Sequence, residues 1–379
     1  MVHGPGDALA SRHRASPRTL PGGRVAAADG RGLRPACGRG ASERARPGAR
    51  PVDPRWRPRM REDDAIARCR AALEAGSKSF AFAARLLPAR CRDDAAVLYA
   101  WCRRADDAID EAPPGQAAAA LGRLREEVDA LFRGAPLEEV TLEAMRQVAR
   151  RRALPRAYME ALLDGMAMDV AGHAYRTERD LLLYAHRVAG VVGLMMCHVL
   201  GLRDDGALVH AAHLGWGMQL TNIARDVAED WEMGRLYLPA AWLEEAGAPE
   251  LVAPPAGTPF PDEAAAPVAR VVARLLERAE GFYASGDRGL DALAPGCALA
   301  VGAARRIYHA IGDEVAARGH DVRRGRAWVP AARKSRLAAR AALDVAGSLP
   351  RRARAALTDP RPAARPPALV LRFEDLLPR

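Results

Sequence analysis

An all-α fold is predicted by three features of the 379-residue chain. From Glu62 onward, apolar residues recur at helical spacing within long segments rich in Ala, Leu, Arg and Glu, all strong helix formers. Runs of alternating β-branched residues, the mark of a half-buried strand, are few. Breaks come as short turn clusters, Glu111–Gly115, Arg133–Pro136 and Arg203–Gly206, separated by helix-length intervals. At the usual helix length this gives roughly eight to ten helices. An apolar fraction of 49% is enough for a large core in one domain.

Taken in order, residues 1–59 mix Arg with Gly, Pro and Ala and show no periodicity. Their few large apolar side chains cannot offset the entropy of ordering, so disorder is expected. Met60 directly precedes the first periodic segment, and the natural start is expected there, a point that the intact mass of native protein would test. Residues 60–347 are the predicted helical body. Its one long interruption, Gly247–Pro267, is rich in Pro and Gly and is expected to be an exposed loop. The Pro- and Arg-rich residues 348–379 are expected to form a mobile tail.

The formal charge of +10 is unevenly placed. Residues 1–60 and 321–379 each carry a net +9, leaving 30 basic and 38 acidic groups between them. An acidic body, in a chain with only 5% aromatic residues, argues against a nucleic-acid-binding surface. The six cysteines (Cys37, Cys69, Cys91, Cys102, Cys197, Cys297) contain no CxxC pair, which argues against a zinc site or disulfide framework and points to a reducing compartment. The longest apolar stretch, Val188–Leu202, is too short to span a membrane and contains His198.

Two acidic helices carry the chemistry. In the segment from Tyr99 to Asp110, steps of 4, 3 and 4 put Tyr99, Arg103, Asp106 and Asp110 on one face. Asp106 and Asp110 then stand roughly 6 Å apart, a like-charge pair that destabilises a helix unless something offsets it. A divalent cation does so economically, because Mg²⁺ takes one or two carboxylates and leaves positions for water and phosphate. Alone, such a run is more often a solvated face. The segment from Gln219 to Asp230 repeats the pattern, with Gln219, Asn222, Asp226 and Asp230 at steps of 3, 4 and 4. Two such helices can clamp a metal-bound diphosphate, with Arg103, Arg225 and Arg235 adding contacts to phosphate. Ionising an allylic diphosphate leaves a carbocation, which needs a dry cavity and aromatic faces such as Phe80, Tyr99 and Tyr184.

Several stretches together resemble the squalene/phytoene synthase family, especially its bacterial phytoene-forming members. They are Gly76-Ser-Lys-Ser-Phe80, Asp106–Asp110, Asp164-Gly-Met-Ala-Met-Asp169, Tyr184 with Val188–Gly193, Gln219–Asp230 with Gly234–Pro239, and Arg306–Val315. The resemblance spans about residues 62–340. It implies the all-α isoprenoid-synthase fold with a central apolar cavity. It also implies head-to-head condensation of two geranylgeranyl diphosphates, through prephytoene diphosphate, to phytoene. By position it assigns Asp106, Asp110, Asp226 and Asp230 to metal (Mg²⁺, with Mn²⁺ as a substitute). Ser77, Ser79, Tyr99, Arg103, Gln219, Asn222, Arg235 and Tyr308 go to the diphosphate end. Phe80, Tyr184, Val188, Gly190 and Gly193 go to the hydrocarbon tunnel. No NADPH is expected, since family members that make squalene add a hydride and phytoene needs none. Lipid substrate and product imply a cytoplasmic enzyme held weakly at the inner face of a bacterial membrane, beside downstream carotenoid enzymes. The alternatives are a squalene-type or C30 dehydrosqualene synthase acting on farnesyl diphosphate, and a non-catalytic assembly factor.

Plainer readings stand beside these. Ser77 and Ser79 are natural helix caps, Gly190 and Gly193 a close-packing surface, and Tyr308 a core tyrosine. Three positions depart from the family pattern: His186 in place of a second tyrosine, Ala228 in place of a common glycine, and Gly76 where a related synthase has a basic residue.

Overall fold

Helical periodicity in the sequence translates directly into helices. The computed structural model describes residues 56–358 and 367–377, with side chains over 63–353 and 367–377. Among the described residues there are thirteen α-helices and no extended strand. They are α1 (Trp56–Gly76), α2 (Lys78–Ala84), α3 (Ala89–Asp110), α4 (Ala117–Arg133), α5 (Val140–Arg151), α6 (Arg156–Val170) and α7 (Glu178–Ala185). There follow α8 (Val191–Leu200), α9 (Leu208–Glu232), α10 (Ala240–Glu245), α11 (Ala265–Gly289), α12 (Pro295–Ala317) and α13 (Ala331–Thr358). The number exceeds the eight to ten expected because α2, α7 and α10 are only 7, 8 and 6 residues long. In addition, a π-helical turn at His186–Gly190 divides one apolar stretch into α7 and α8.

Local chemistry sets the ends. Thr177 and Asp180 close a reciprocal capping box that starts α7. Gly134, at φ 75°, ends α4 in the left-handed conformation. The Pro-rich loop ends earlier than expected: α11 begins at Ala265, and Pro267 sits in its first turn, where a missing N–H costs nothing.

The core is built around α9, which packs along α11 and also meets α8, α12 and the π-turn. Trp216 and Leu220 of α9 are almost wholly buried. α8 packs against both α3 and α9 and so sets the distance between the two acidic helices. The segment Glu178–Leu200 is apolar enough to cross a membrane by length and composition, yet 61% of it is buried within the fold.

Both expected boundaries shift. The expectations for residues 1–55 fall outside the described residues, but Trp56–Arg59 already form the first turn of α1, so Met60 lies within a helix. The mobile tail expected from residue 348 is corrected. α13 continues to Thr358, held where the Arg352 guanidinium donates to the carbonyl oxygens of Leu290, Asp291 and Leu293 at 2.6–3.3 Å. Farther on, Phe373 and Leu376 are buried in the core. Phe373 packs against His186 and Trp216 (ring centroids 5.8 and 5.7 Å), and the Leu371 N–H donates to the Tyr158 hydroxyl. A few apolar side chains spaced among Pro and Arg suffice to dock the segment, which composition averaged over the whole tail conceals.

Candidate active site

α3 carries Tyr99, Arg103, Asp106 and Asp110, and α9 carries Gln219, Asn222, Asp226 and Asp230. Asp110 closes α3, and Arg235, just past the end of α9, reaches it with Nη2 to Oδ1 at 2.6 Å. The turn that aims Arg235 depends on Gly234, at φ 76°, where a Cβ would lie 2.9 Å from the Pro254 carbonyl oxygen. One ion pair therefore ties the acidic end of α3 to the turn that follows the acidic end of α9.

Charge at the two pairs is balanced unequally. Arg103 pairs with Asp107 at 2.6 Å and lies 3.8 Å from Asp106. Asp226 is held by Arg225, through Nε at 2.6 Å, and by Arg326 at 3.2 Å. No arginine or lysine nitrogen forms an ion pair with Asp230 among the described residues. Burial, then the neighbouring Asp226 charge, pushes its carboxyl from 3.8 up to about 8. Surrounding protein and then Asp110 push Asp106 up to about 6, a rise that water offsets in part because 54% of its side chain is exposed.

The donor set fits divalent cations. Carboxylates driven toward the neutral form by burial and by each other regain their charge when a cation supplies the missing opposite charge. Asn222 adds a carbonyl oxygen, Oδ1, that is buried without a hydrogen-bond partner one turn before Asp226. No three His, Cys, Asp or Glu side chains converge on a single point among the described residues. That suits ions held by one or two carboxylates each, with diphosphate and water completing the shell.

Two aromatic groups adjoin the acids. In the first, Phe80 packs against Tyr308 (5.0 Å) and edge-on to Tyr99 (6.2 Å). Burial pushes the Tyr308 hydroxyl up to about 12, and Ser77 hydrogen-bonds it. Ser77 also accepts from the Phe80 N–H as the cap of α2, so it serves as a cap while touching Tyr308. Ser79 is half-buried on the same short helix. A Cβ on Gly76 would lie 2.5 Å from the Tyr99 hydroxyl, so that hydroxyl occupies the room a basic side chain there would need. In the second group, Tyr184 stacks on Tyr237 at 4.9 Å and 21°, and Tyr175 meets both.

Val188, Gly190 and Gly193 are placed by packing. A Cβ on Gly190 would lie 2.7 Å from Trp216 Nε1, and one on Gly193 would lie 2.6 Å from the Ala211 carbonyl oxygen, so both glycines let the π-turn and α8 approach α9. Val188 lies against Gly165 of α6 in the same way. His186 is buried between Trp216 and Phe373, and burial lowers its pKa to about 4, leaving the ring neutral.

Sequence reasoning missed four neighbours of this site: Asp169, Tyr175, Tyr237 and Arg326. Asp169 and Tyr237 lie within stretches already singled out, yet their partners are 15 and 68 residues away, beyond any local pattern. Arg326 reaches Asp226 across 100 residues.

Comparison with known proteins makes the chain a prenyltransferase that uses an isoprenyl diphosphate, a class that the all-helical body, the two acidic stripes and the arginines beside them suit. The chain belongs to the squalene/phytoene synthase family, whose profile matches residues 73–333. It is similar to a 15-cis-phytoene synthase of Paracoccus sp., with 43% identity over 73% of this chain and 90% of that protein. It is also similar to a phytoene synthase of Pseudescherichia vulneris, with 42% identity over 76% and 93%. Among solved structures, a dehydrosqualene synthase in complex with ligand superposes with a TM-score of 0.68 at 28% identity, covering 76% of this chain and 99% of that one.

Proposed function

We infer that this chain joins two geranylgeranyl diphosphates head to head, through prephytoene diphosphate, to form phytoene, the entry step of carotenoid synthesis. Similarity to several phytoene synthases at about 40% identity over most of the chain carries this reading. The overall reaction releases two diphosphates and two protons, one as the cyclopropane of the intermediate closes and one as phytoene forms, and needs no reductant.

Mg²⁺ at Asp106, Asp110, Asp226 and Asp230 would neutralise the leaving diphosphate as a Lewis acid. Arg103, Arg225 and Arg235, each paired with an aspartate here, would orient phosphate oxygens. Gln219 and Asn222 present amide groups on the same face of α9. Phe80, Tyr99 and Tyr308 would offer ring faces to positive charge beside the acids, and Tyr184 would do so from the second group, beside Asp169. Tyr184 and Tyr308 are buried and Phe80 and Tyr99 half-buried, which limits the water that would quench a carbocation.

The test is product identification after incubating the full chain with geranylgeranyl or farnesyl diphosphate, with Mg²⁺ or a chelator, and with or without NADPH. Phytoene from the C20 substrate, requiring Mg²⁺ but not NADPH, is expected. Farnesyl-derived squalene that depends on NADPH would overturn the reading, and no hydrocarbon at all would favour an assembly factor. Likeness to a dehydrosqualene synthase structure keeps a C30 product as the second reading.

The enzyme works in the cytoplasm at the inner face of a bacterial membrane, where its product passes to downstream carotenoid enzymes. Support comes from α13, where Arg336, Arg340 and the exposed Leu343 share one face, and from exposed Trp328 just before it. Basic residues near an anionic surface contribute about 1 kcal/mol each. Replacing Arg336 and Arg340 by Gln is expected to weaken sedimentation with anionic vesicles, and unchanged binding would count against this surface.

A further inference from the structure

Asp169 is a carboxylate of this region that neither acidic helix carries. It lies at the end of α6 and accepts two phenol hydrogen bonds, from Tyr184 to Oδ2 at 3.1 Å and from Tyr237 to Oδ1 at 2.9 Å. Arg235 acts on it only through space. Its two bonded rings are stacked, and Tyr175 meets each, at 5.4 Å from Tyr184 and 5.5 Å from Tyr237. All three tyrosines are buried, at 4–8% exposure. The Tyr175 hydroxyl has no hydrogen-bond partner among the described residues, although Asp169, Arg235 and Asp230 all act on it electrostatically. A buried hydroxyl left unsatisfied in this neighbourhood points to a bound group that completes it.

We propose that Asp169 is a positioning residue that locks Tyr184 and Tyr237 into a stacked pair, and that this pair with Tyr175 steers the second carbocation toward phytoene. Three physical consequences support it. A carboxylate that accepts from a phenol draws the proton outward and enriches the ring in electron density, which strengthens its hold on a cation. Tyr184 comes from α7 and Tyr237 from the stretch after α9, so a common acceptor ties together two rings that packing against Tyr175 already brings close. Their separation from the Phe80–Tyr99–Tyr308 group gives the site two aromatic walls, matching a reaction that ionises twice.

This inference rests on the prenyl condensation described above, and the experiment separates the two. The full chain with Mg²⁺ and geranylgeranyl diphosphate is compared with Asp169→Asn, Tyr237→Phe and the double variant. The readouts are kcat, KM, and the ratio of phytoene to released prephytoene diphosphate and water-quenched C40 alcohols. Asp169→Asn removes the charge and one acceptor, and is expected to lower kcat by at least about tenfold with KM within about threefold. The ratio should fall in favour of intermediate and alcohols. Tyr237→Phe keeps the ring and should move the ratio the same way. The double variant should be no worse than Asp169→Asn, because both changes break one unit. Should Asp169→Asn fail to fold, Tyr237→Phe alone decides by the ratio. A lower melting temperature with an unchanged ratio would show a purely structural carboxylate and overturn the proposal, as would losses that simply add. If the unaltered chain uses only the C15 substrate, the phytoene reading fails while the same ratio, measured on C30 species, still decides the role of Asp169. If it forms no product from either substrate, both fall.

Discussion

α3 and α9 carry the same i, i+4 aspartate spacing in different electrostatic settings. On α3, the Asp106 side chain is 54% exposed and Arg103 lies beside it, while Arg235 meets Asp110. On α9, the Asp226 side chain is 16% exposed and compensated by Arg225 and Arg326, whereas Asp230 has no ion-pair partner among the described residues. Spacing alone makes the two stripes equivalent; enclosure makes α9 the helix that most needs a cation. An acidic pair near solvent relies on arginines and water, while an enclosed pair needs an ion to stay charged.

The largest expected effect comes from removing one carboxylate on each side. Asp226→Ala and Asp106→Ala should each lose at least about 10³-fold in kcat/KM, since Lewis-acid stabilisation of a leaving group is worth several kcal/mol. Helical circular dichroism should stay largely unchanged. Near-normal turnover in either variant would remove the metal clamp, and a clearly smaller loss for Asp106 would sharpen the contrast between the helices.

Next in size is the cross-link. Arg235→Ala should cut kcat/KM by about 10- to 100-fold through loss of a phosphate contact. Stability should fall by only about 0.5–1 kcal/mol, because both partners are partly exposed. A large stability loss with normal kinetics would make Arg235 a strut.

Protonation gives a third test, on protein freed of metal. Asp230 is raised from 3.8 to about 8, so the folded chain holds that proton more tightly than the unfolded chain. Between pH 4 and 8, raising the pH therefore lowers stability. Asp230→Asn should melt higher than the unaltered protein at pH 8, by about 1–2 kcal/mol after discounting for partial exposure, and the gap should close toward pH 5. A constant gap across that range would show that Asp230 is not the group responsible. The smallest effect is expected at Ala228: changing it to Gly, the common family residue, should cost about 0.5–1 kcal/mol by melting and leave turnover near normal.

How much of this was legible in sequence depends on distance along the chain. The stripes on α3 and α9 were readable because helical geometry maps steps of three and four onto one face. Ser77 as a cap was readable because its acceptor role is local. The tail was misread: composition over residues 348–379 averages out Phe373 and Leu376, the two side chains that dock it. The role of Asp169 was invisible even inside a noted stretch, since nothing local places two phenols on its oxygens.

The sequence by itself determined the helical class, the two acidic stripes and the family, because each depends on periodicity or on short ordered motifs. Tertiary structure alone decided which aspartate lacks a counter-charge, which glycines serve packing, and which carboxylate gathers the tyrosines. Burial and pairing arise between residues distant in the chain, and they set the charge state that an identical local pattern leaves open.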